Sequence, residues 1–413
     1  MSTQIIDFLC QERTFEVTKV RISIMLPINI ILLLSLILPI TSLTNKFGIG
    51  CYDDTPGSPP ITSQLDAAQK LAGAQGWVTI YLCSWKHATH SCMNKTTQEA
   101  TLAAKAKVLA AYARNLSVVA RIGNPYYVRD HADVNPDGTI NTTSYKELAS
   151  AYAKYVRSLP LPSSSSSSSS SSLYITIGNE FNACNEWKCS ASSLKNMSAL
   201  EMANEVAHFA DDVAHALIPI RKECNGTLLY GHGAIANWHL SKCQCSTGKS
   251  LGVGRSGLTF LQQMIDFIPD LYSPSNVDWL SSHSYPFSQS AWSNPKCQRG
   301  LKYYRNESVL IQRPTINVIL TETGWNLRTG YTTMSNRANW TVKAYQEIWM
   351  PDQQVIGTTP FLLGGLFWEN NRNSFWPWMS VDQKTGLLQA KPVYIAIQKL
   401  SCGLFPGVNC MLK

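Results

Sequence analysis

Residues 173–184 read LYITIGNEFNAC. An apolar, β-rich run, Leu173 to Ile177, breaks at Gly178-Asn179-Glu180 with an aromatic behind it. The run fits a strand buried on both faces, as in a parallel sheet. Gly and Asn then mark the turn by which the chain leaves that sheet. The stretch reads either as a plain strand-end turn or as a strand delivering an amide and a carboxylate to a site. A second carboxylate on another strand end decides between the two.

Outward from this stretch, short β-rich runs alternate with longer helical patterns. Strands are predicted at 46–52, 77–83, 117–122, 173–177, 227–231, 277–283, 316–321 and 362–368. Helices are predicted at 62–74, 97–114, 144–158, 199–222, 258–267, 301–311 and 336–349, with 392–400 closing the series. Strict alternation implies right-handed βαβ crossovers and a parallel sheet. Eight rounds without a Gly-rich fingerprint in the first unit favour an α/β fold of the closed (β/α)8 TIM-barrel type over an open sheet. One catalytic domain is expected over 45–413. The ten serines at 163–172 form a loop between helix and strand, on the barrel face away from chemistry.

The second carboxylate is present. Residues 316–325 read INVILTETGW, placing Glu322 just beyond the seventh strand. Glu180 and Glu322 therefore belong to one barrel mouth. Glycoside hydrolysis uses such a pair: one carboxyl protonates the leaving oxygen, the other attacks the anomeric carbon. Metalloprotease chemistry lacks its motif, since the chain has no HExxH. Gly248-Lys249-Ser250 mimics a phosphate loop, but its first glycine position is Cys243. No cofactor and no metal is implied. The net charge of +8 comes without a Lys/Arg cluster, so no nucleic-acid partner is expected.

The pattern resembles the retaining glycoside hydrolases of clan A, whose barrels carry an Asn-Glu acid/base on strand four and a glutamate nucleophile on strand seven. Within the clan, Ile177-Gly178-Asn179-Glu180 and Glu322-Thr323-Gly324-Trp325 are most similar to glycoside hydrolase family 17, the β-1,3-glucanase and licheninase family. Gly365-Leu366-Phe367-Trp368-Glu369-Asn370 is similar to that group's strand-eight segment. The resemblance implies Glu180 as acid/base, Glu322 as nucleophile and Asn179 as a partner of the sugar 2-hydroxyl. His283 and Tyr285 match a His-x-Tyr arrangement of several clan families, with Tyr285 hydrogen-bonded to Glu322 and holding it ionised. Trp368 is the expected platform under a sugar ring. Arg121, Asn124, His232 and Trp325 are further substrate-binding candidates. The sequence departs from the pattern in lacking an arginine near strand two and in having Asn326, not proline, after ETGW. The loop NNRNSFWPWMS also has no counterpart in the resemblance.

The implied activity is a retaining β-glycosidase, endo-acting on a β-glucan, with a polysaccharide or oligosaccharide as its partner. Transglycosylation and non-catalytic carbohydrate binding are the alternatives.

The compartment is read from the N-terminus. Residues 22–43 carry no charge and follow Lys19 and Arg21, so residues 1–21 form a cytoplasmic tail and 45–413 lies across the membrane. A retained signal anchor, giving a type II membrane protein, and a cleaved signal peptide both fit. Eleven cysteines beyond Cys10 suggest loop staples such as Cys83/Cys92, Cys184/Cys189 and Cys402/Cys410, although connectivity stays open. Sequons at Asn94, Asn115, Asn141, Asn196, Asn225, Asn306 and Asn339 fit a glycosylated, exported chain.

Overall fold

Strand–helix alternation dominates the computed structural model, which describes residues 44–52, 58–82, 97–123, 142–161, 172–183, 198–237, 257–286, 299–325, 333–364, 376–382 and 384–405. In chain order these hold β1 (Gly48–Cys51), α1 (Ile61–Ala72), β2 (Trp77–Leu82), α2 (Thr97–Tyr112), β3 (Ser117–Ile122), α3 (Thr142–Arg157) and β4 (Leu173–Ile177). Then come α4 (Ala199–Glu223), β5 (Leu228–His232), α5 (Gly257–Phe267), β6 (Leu280–His283), α6 (Tyr303–Leu310) and β7 (Val318–Glu322). The series ends with α7 (Met334–Ala344), β8 (Val355–Thr358), the hairpin strands β9 (Met379–Val381) and β10 (Leu388–Ala390), and α8 (Pro392–Leu404). Residues Asn45–Lys413 make one compact unit.

Strands β1 to β5 pair in parallel in sequence order, as do β6 to β8. Backbone hydrogen bonds join the two sets into a ring. Asp278 N donates to Tyr230 O at 2.8 Å and Ala236 bridges His283, linking β5 to β6. Thr358 N donates to Lys46 O at 3.0 Å and Gly50 N to Pro360 O at 3.1 Å, linking β8 to β1. The fold is thus a (β/α)8 barrel.

Its interior is layered, as the two-residue period of inward side chains demands. Trp77, Val119, Trp279 and Ile319, with Tyr174, Leu229 and Ile356, fill the layer nearest the strand N-termini. Above them lie hydroxyls, with Thr79 against Thr359 and Ser281 against Thr321, both at 2.7 Å. The charged groups occupy the mouth.

Strand eight differs from the expectation. It is Val355–Thr358, ahead of the expected 362–368, of which 365–368 lie outside the described residues. A Cβ on Gly357 would stand 2.4 Å from the Trp77 indole, so the barrel's own plug selects a glycine in an already short strand. The more apolar residues that follow are buried for another reason. Leu363 N donates to Gly50 O at 2.9 Å, Trp378 N donates to Leu362 O at 3.0 Å, and Leu362 packs with Tyr52 and Tyr81. This segment lies over the mouth and continues no strand through Gly364.

Several expectations fall outside the described residues: the 1–21 tail, the 22–43 segment, the serine run up to 171, and Asn124, Asn326 and Trp368. Among the described residues no helix is long and apolar enough to cross a membrane. Cys402 is disulfide-bonded, with its partner outside the described residues, whereas Cys51 and Cys224 carry thiols. The sequon asparagines that are described, Asn115, Asn225, Asn306 and Asn339, are all exposed.

Candidate active site

Strand β4 ends at Ile177 and the chain turns sharply. Gly178 has φ +89°, and a Cβ there would overlap the Phe181 ring at 2.0 Å, so the turn admits only glycine. Glu180 follows with φ +39°, a left-handed conformation that costs a non-glycine residue about 1–3 kcal/mol and concentrates at functional sites. The turn is held from beyond. Asn182 Nδ2 donates to Ala236 O at 2.9 Å while Ala236 N donates back to Asn182 Oδ1 at 2.8 Å. Since Ala236 also bridges His283, the ends of β4, β5 and β6 are tied together around Glu180.

Two carboxylates meet at this point, each almost wholly buried (Glu180 4% and Glu322 6% exposed). His283 Nδ1 lies 2.7 Å from Glu180 Oε1 and 3.7 Å from Glu322 Oε2. One oxygen of each glutamate and this nitrogen all lie within 4.8 Å of one another. The 2.7 Å contact ties His283 to Glu180 by a hydrogen bond.

Glu322 is saturated with donors. Arg121 approaches its Oε1 from Nη1 at 2.5 Å and from Nη2 at 2.6 Å. Tyr285 donates its hydroxyl to Oε2 at 2.8 Å. Burial and the neighbouring charges of Glu322 and Glu180 hold the Tyr285 phenol well above its ordinary range, so it remains a donor. Arg121 also donates to Asn179 Oδ1 at 2.7 Å and to Tyr52 Oη at 2.9 Å. The guanidinium thus aligns Asn179, which is half-buried at the mouth, with Glu322. Strand two lacks an arginine, and a cation reaches the carboxylate from strand three instead.

Glu180, His283 and Glu322 are also the one group among the described residues whose ligand atoms could hold a metal ion. The Arg121 cation against Glu322 Oε1 opposes that use.

Two candidates are placed elsewhere. His232 alternates away from the interior: Leu229 faces into the barrel, three residues earlier, so His232 faces the helices. Its Nε2 lies 3.0 Å from Leu271 O, its Nδ1 lies 3.1 Å from Tyr230 Oη, and burial pushes its pKa down to about 4. It is a neutral packing residue. Trp325 is 1% exposed within the main core and packs on Trp340 at 6.1 Å. Gly324, at φ +122°, turns the chain so that the indole leaves the mouth.

Other residues enter in their place. Tyr52 follows β1 directly, where its main chain is gripped by Gln64 (Tyr52 N to Oε1 3.1 Å, Nε2 to Tyr52 O 3.0 Å). Trp376 stands edge-on to Tyr285 at 5.3 Å and to Phe361 at 5.9 Å, half-buried beside Glu322's hydroxyl donor. An aromatic at a strand end was a legible signal for Tyr52. For Trp376 it was only the tryptophan density of FWPW.

Behind β6, Ser282 points away from the mouth and donates to Glu307 Oε2 at 2.5 Å. Glu307 is fully buried, and desolvation raises its pKa from the ordinary 4.5 to about 8. The folded state therefore binds this proton more tightly than the unfolded chain does. Its contribution is fully present below the ordinary carboxylate range and is lost as pH rises toward about 8. At 1.36 kcal/mol per unit this amounts to roughly 5 kcal/mol between pH 4.5 and 8. Glu307→Gln is expected to flatten the pH dependence of stability over that interval. Equal denaturation midpoints for parent and variant at every pH would contradict this.

No protein-family model matches the chain, and no curated protein does. Solved structures do. A GH5_18 protein from Streptomyces cattleya in complex with GlcNAc is 15% identical, with 88% of this chain and 81% of that chain covered at a TM-score of 0.55. A hyperthermophilic β-glucosidase from Pyrococcus furiosus is 12% identical, with 87% and 95% covered at 0.54. A GH5_18 protein from Bifidobacterium longum subsp. infantis is 11% identical, with 87% and 79% covered at 0.53. The likeness is one of fold. It spans the whole barrel and includes no family 17 structure among these three.

Proposed function

We propose that this chain is a retaining β-glycoside hydrolase, endo-acting on a β-glucan, with Glu180 as acid/base and Glu322 as nucleophile. The observation that carries the proposal is the spacing of the two carboxylates, an oxygen of each lying within 4.8 Å of the other. Retaining pairs stand about 5–5.5 Å apart, whereas inverting pairs leave room for a water at about 6.5–9.5 Å. The surroundings divide the labour. Glu322, receiving hydrogen bonds from Arg121 and Tyr285, suits the anion that attacks the anomeric carbon. Glu180, hydrogen-bonded to His283, suits the group that gives a proton to the leaving oxygen and then takes one from water.

Asn179, fixed through Arg121, is the partner for the sugar 2-hydroxyl, and Trp376 takes the platform role expected of Trp368. The β-glucan assignment rests on the family 17 resemblance of the motifs around Glu180 and Glu322. The glycosidase names and the sugar complex among the structural matches favour a carbohydrate substrate as well. Export across a membrane rests on the 22–43 segment and the sequons.

The test is a reducing-sugar screen of the 45–413 domain, produced by secretion, on β-1,3-, β-1,4-, mixed-linkage and β-1,6-glucans, mannan and galactan. Release from at least one β-glucan is expected, with Glu180→Gln and Glu322→Gln as inactive blanks. Saturable glycan binding with no product on prolonged incubation would sink the catalytic reading. Products longer than the starting oligosaccharide would assign the second half-reaction to a sugar acceptor.

A further inference from the structure

Arg337 lies on α7, outside the strand barrel, and is only 2% exposed. Burying a guanidinium is costly unless its hydrogen bonds are well placed, and desolvation lowers its pKa to about 9. Two of its nitrogens point at one short stretch of main chain. Nη2 donates to the carbonyl of Trp376, and Nη1 donates to the carbonyl of Pro377 at 3.3 Å. The next two amides in that stretch, of Trp378 and Met379, donate to Leu362 O at 3.0 Å and Leu363 O at 2.7 Å. The segment is therefore gripped from both sides, by α7 and by the chain that leaves β8. Its half-buried end is the Trp376 indole, edge-on to Tyr285, which donates to Glu322.

We propose that Arg337 is a positioning residue, whose hydrogen bonds to the Trp376 and Pro377 carbonyls set the Trp376 indole as the aromatic wall of the sugar site. The substrate part of this inference rests on the glycosidase reading above; the positioning of Trp376 does not. A rigid aromatic face binds without having to be ordered first, so its loss weakens substrate and transition state alike. Lysine can replace the charge but not the fork that reaches two carbonyls.

The test combines kinetics with a probe of Trp376 itself. On the β-glucan that the parent cleaves, Arg337→Met is expected to raise KM about tenfold while kcat changes less than about threefold, with Arg337→Lys in between. In a Trp376→Ala background the same substitution is expected to add nothing to KM, because its effect passes through that indole. In protein labelled with 5-fluorotryptophan, the line assigned by Trp376→Phe is expected to shift or broaden in the Arg337 variants. If that line and KM stay as in the parent while only the melting temperature falls, Arg337 is structural and the proposal fails. If the parent cleaves no glycan, the glycosidase reading fails, and the Trp376 line alone decides the role of Arg337. Should Arg337→Met not fold, Arg337→Lys carries both measurements.

Discussion

Glu322→Gln is expected to lower kcat/KM by about 10^4-fold or more, the scale on which removal of a catalytic nucleophile acts. The fold should survive, because the amide oxygen still accepts from Arg121 and that cation keeps its bonds to Asn179 and Tyr52. The expected signature is a folded protein, still unfolding cooperatively, that binds glucan and does not turn it over. Activity retained at the parent's level on every substrate would remove Glu322 from the mechanism. Loss of activity accompanied by loss of the cooperative unfolding transition would show a structural role instead.

Arg121→Met is expected to damage both stability and activity. The ion pair is buried on both sides, with side chains 7% and 8% exposed. Removing one member of such a pair strands the other and costs about 3–5 kcal/mol. It also takes away the charge that orients Asn179 and Glu322 together, for an expected loss of about 10^2–10^3-fold in kcat. Arg121→Lys should recover little, since one ammonium cannot meet Glu322, Asn179 and Tyr52 from a planar fork. Pairing Arg121→Met with Glu322→Gln should restore much of the stability but none of the turnover. Denaturant unfolding of the four proteins checks this, and a loss below about 1 kcal/mol in Arg121→Met would contradict the buried-pair account.

Most of the barrel was legible because its strands obey a local rule. Strands β3 and β4 begin and end where the apolar runs do, since parallel strands buried on both faces need continuous apolar sequence. Helix starts were legible for the same local reason: α4 begins after Ser198, whose hydroxyl and Glu201 form a capping box. Strand β8 was not legible. Its Gly357 answers to the Trp77 indole, and its Thr358 bonds Lys46 O, partners about 280 and 312 residues away in the chain. A more apolar segment next to it imitated the missing strand while serving as cover for Tyr52 and Tyr81.

The candidate site divides along the same line. From sequence came the two glutamates and their neighbours Asn179, His283 and Tyr285, because each lies at or just past a strand end, and strand ends are written in local composition. The direction of a side chain beyond that end was not written there. His232 and Arg121 both close apolar runs, yet one faces the helices and the other the carboxylate. Trp325 sits three residues from Glu322 and is turned into the core by Gly324. Sequence by itself determined that two carboxylates would arrive at one barrel mouth. Only the tertiary structure decided that Arg121 joins Tyr285 on Glu322, His283 attends Glu180, and Arg337 holds the loop of Trp376. Those choices join strands, helices and loops far apart in the chain, and the packing that joins them has no local signature.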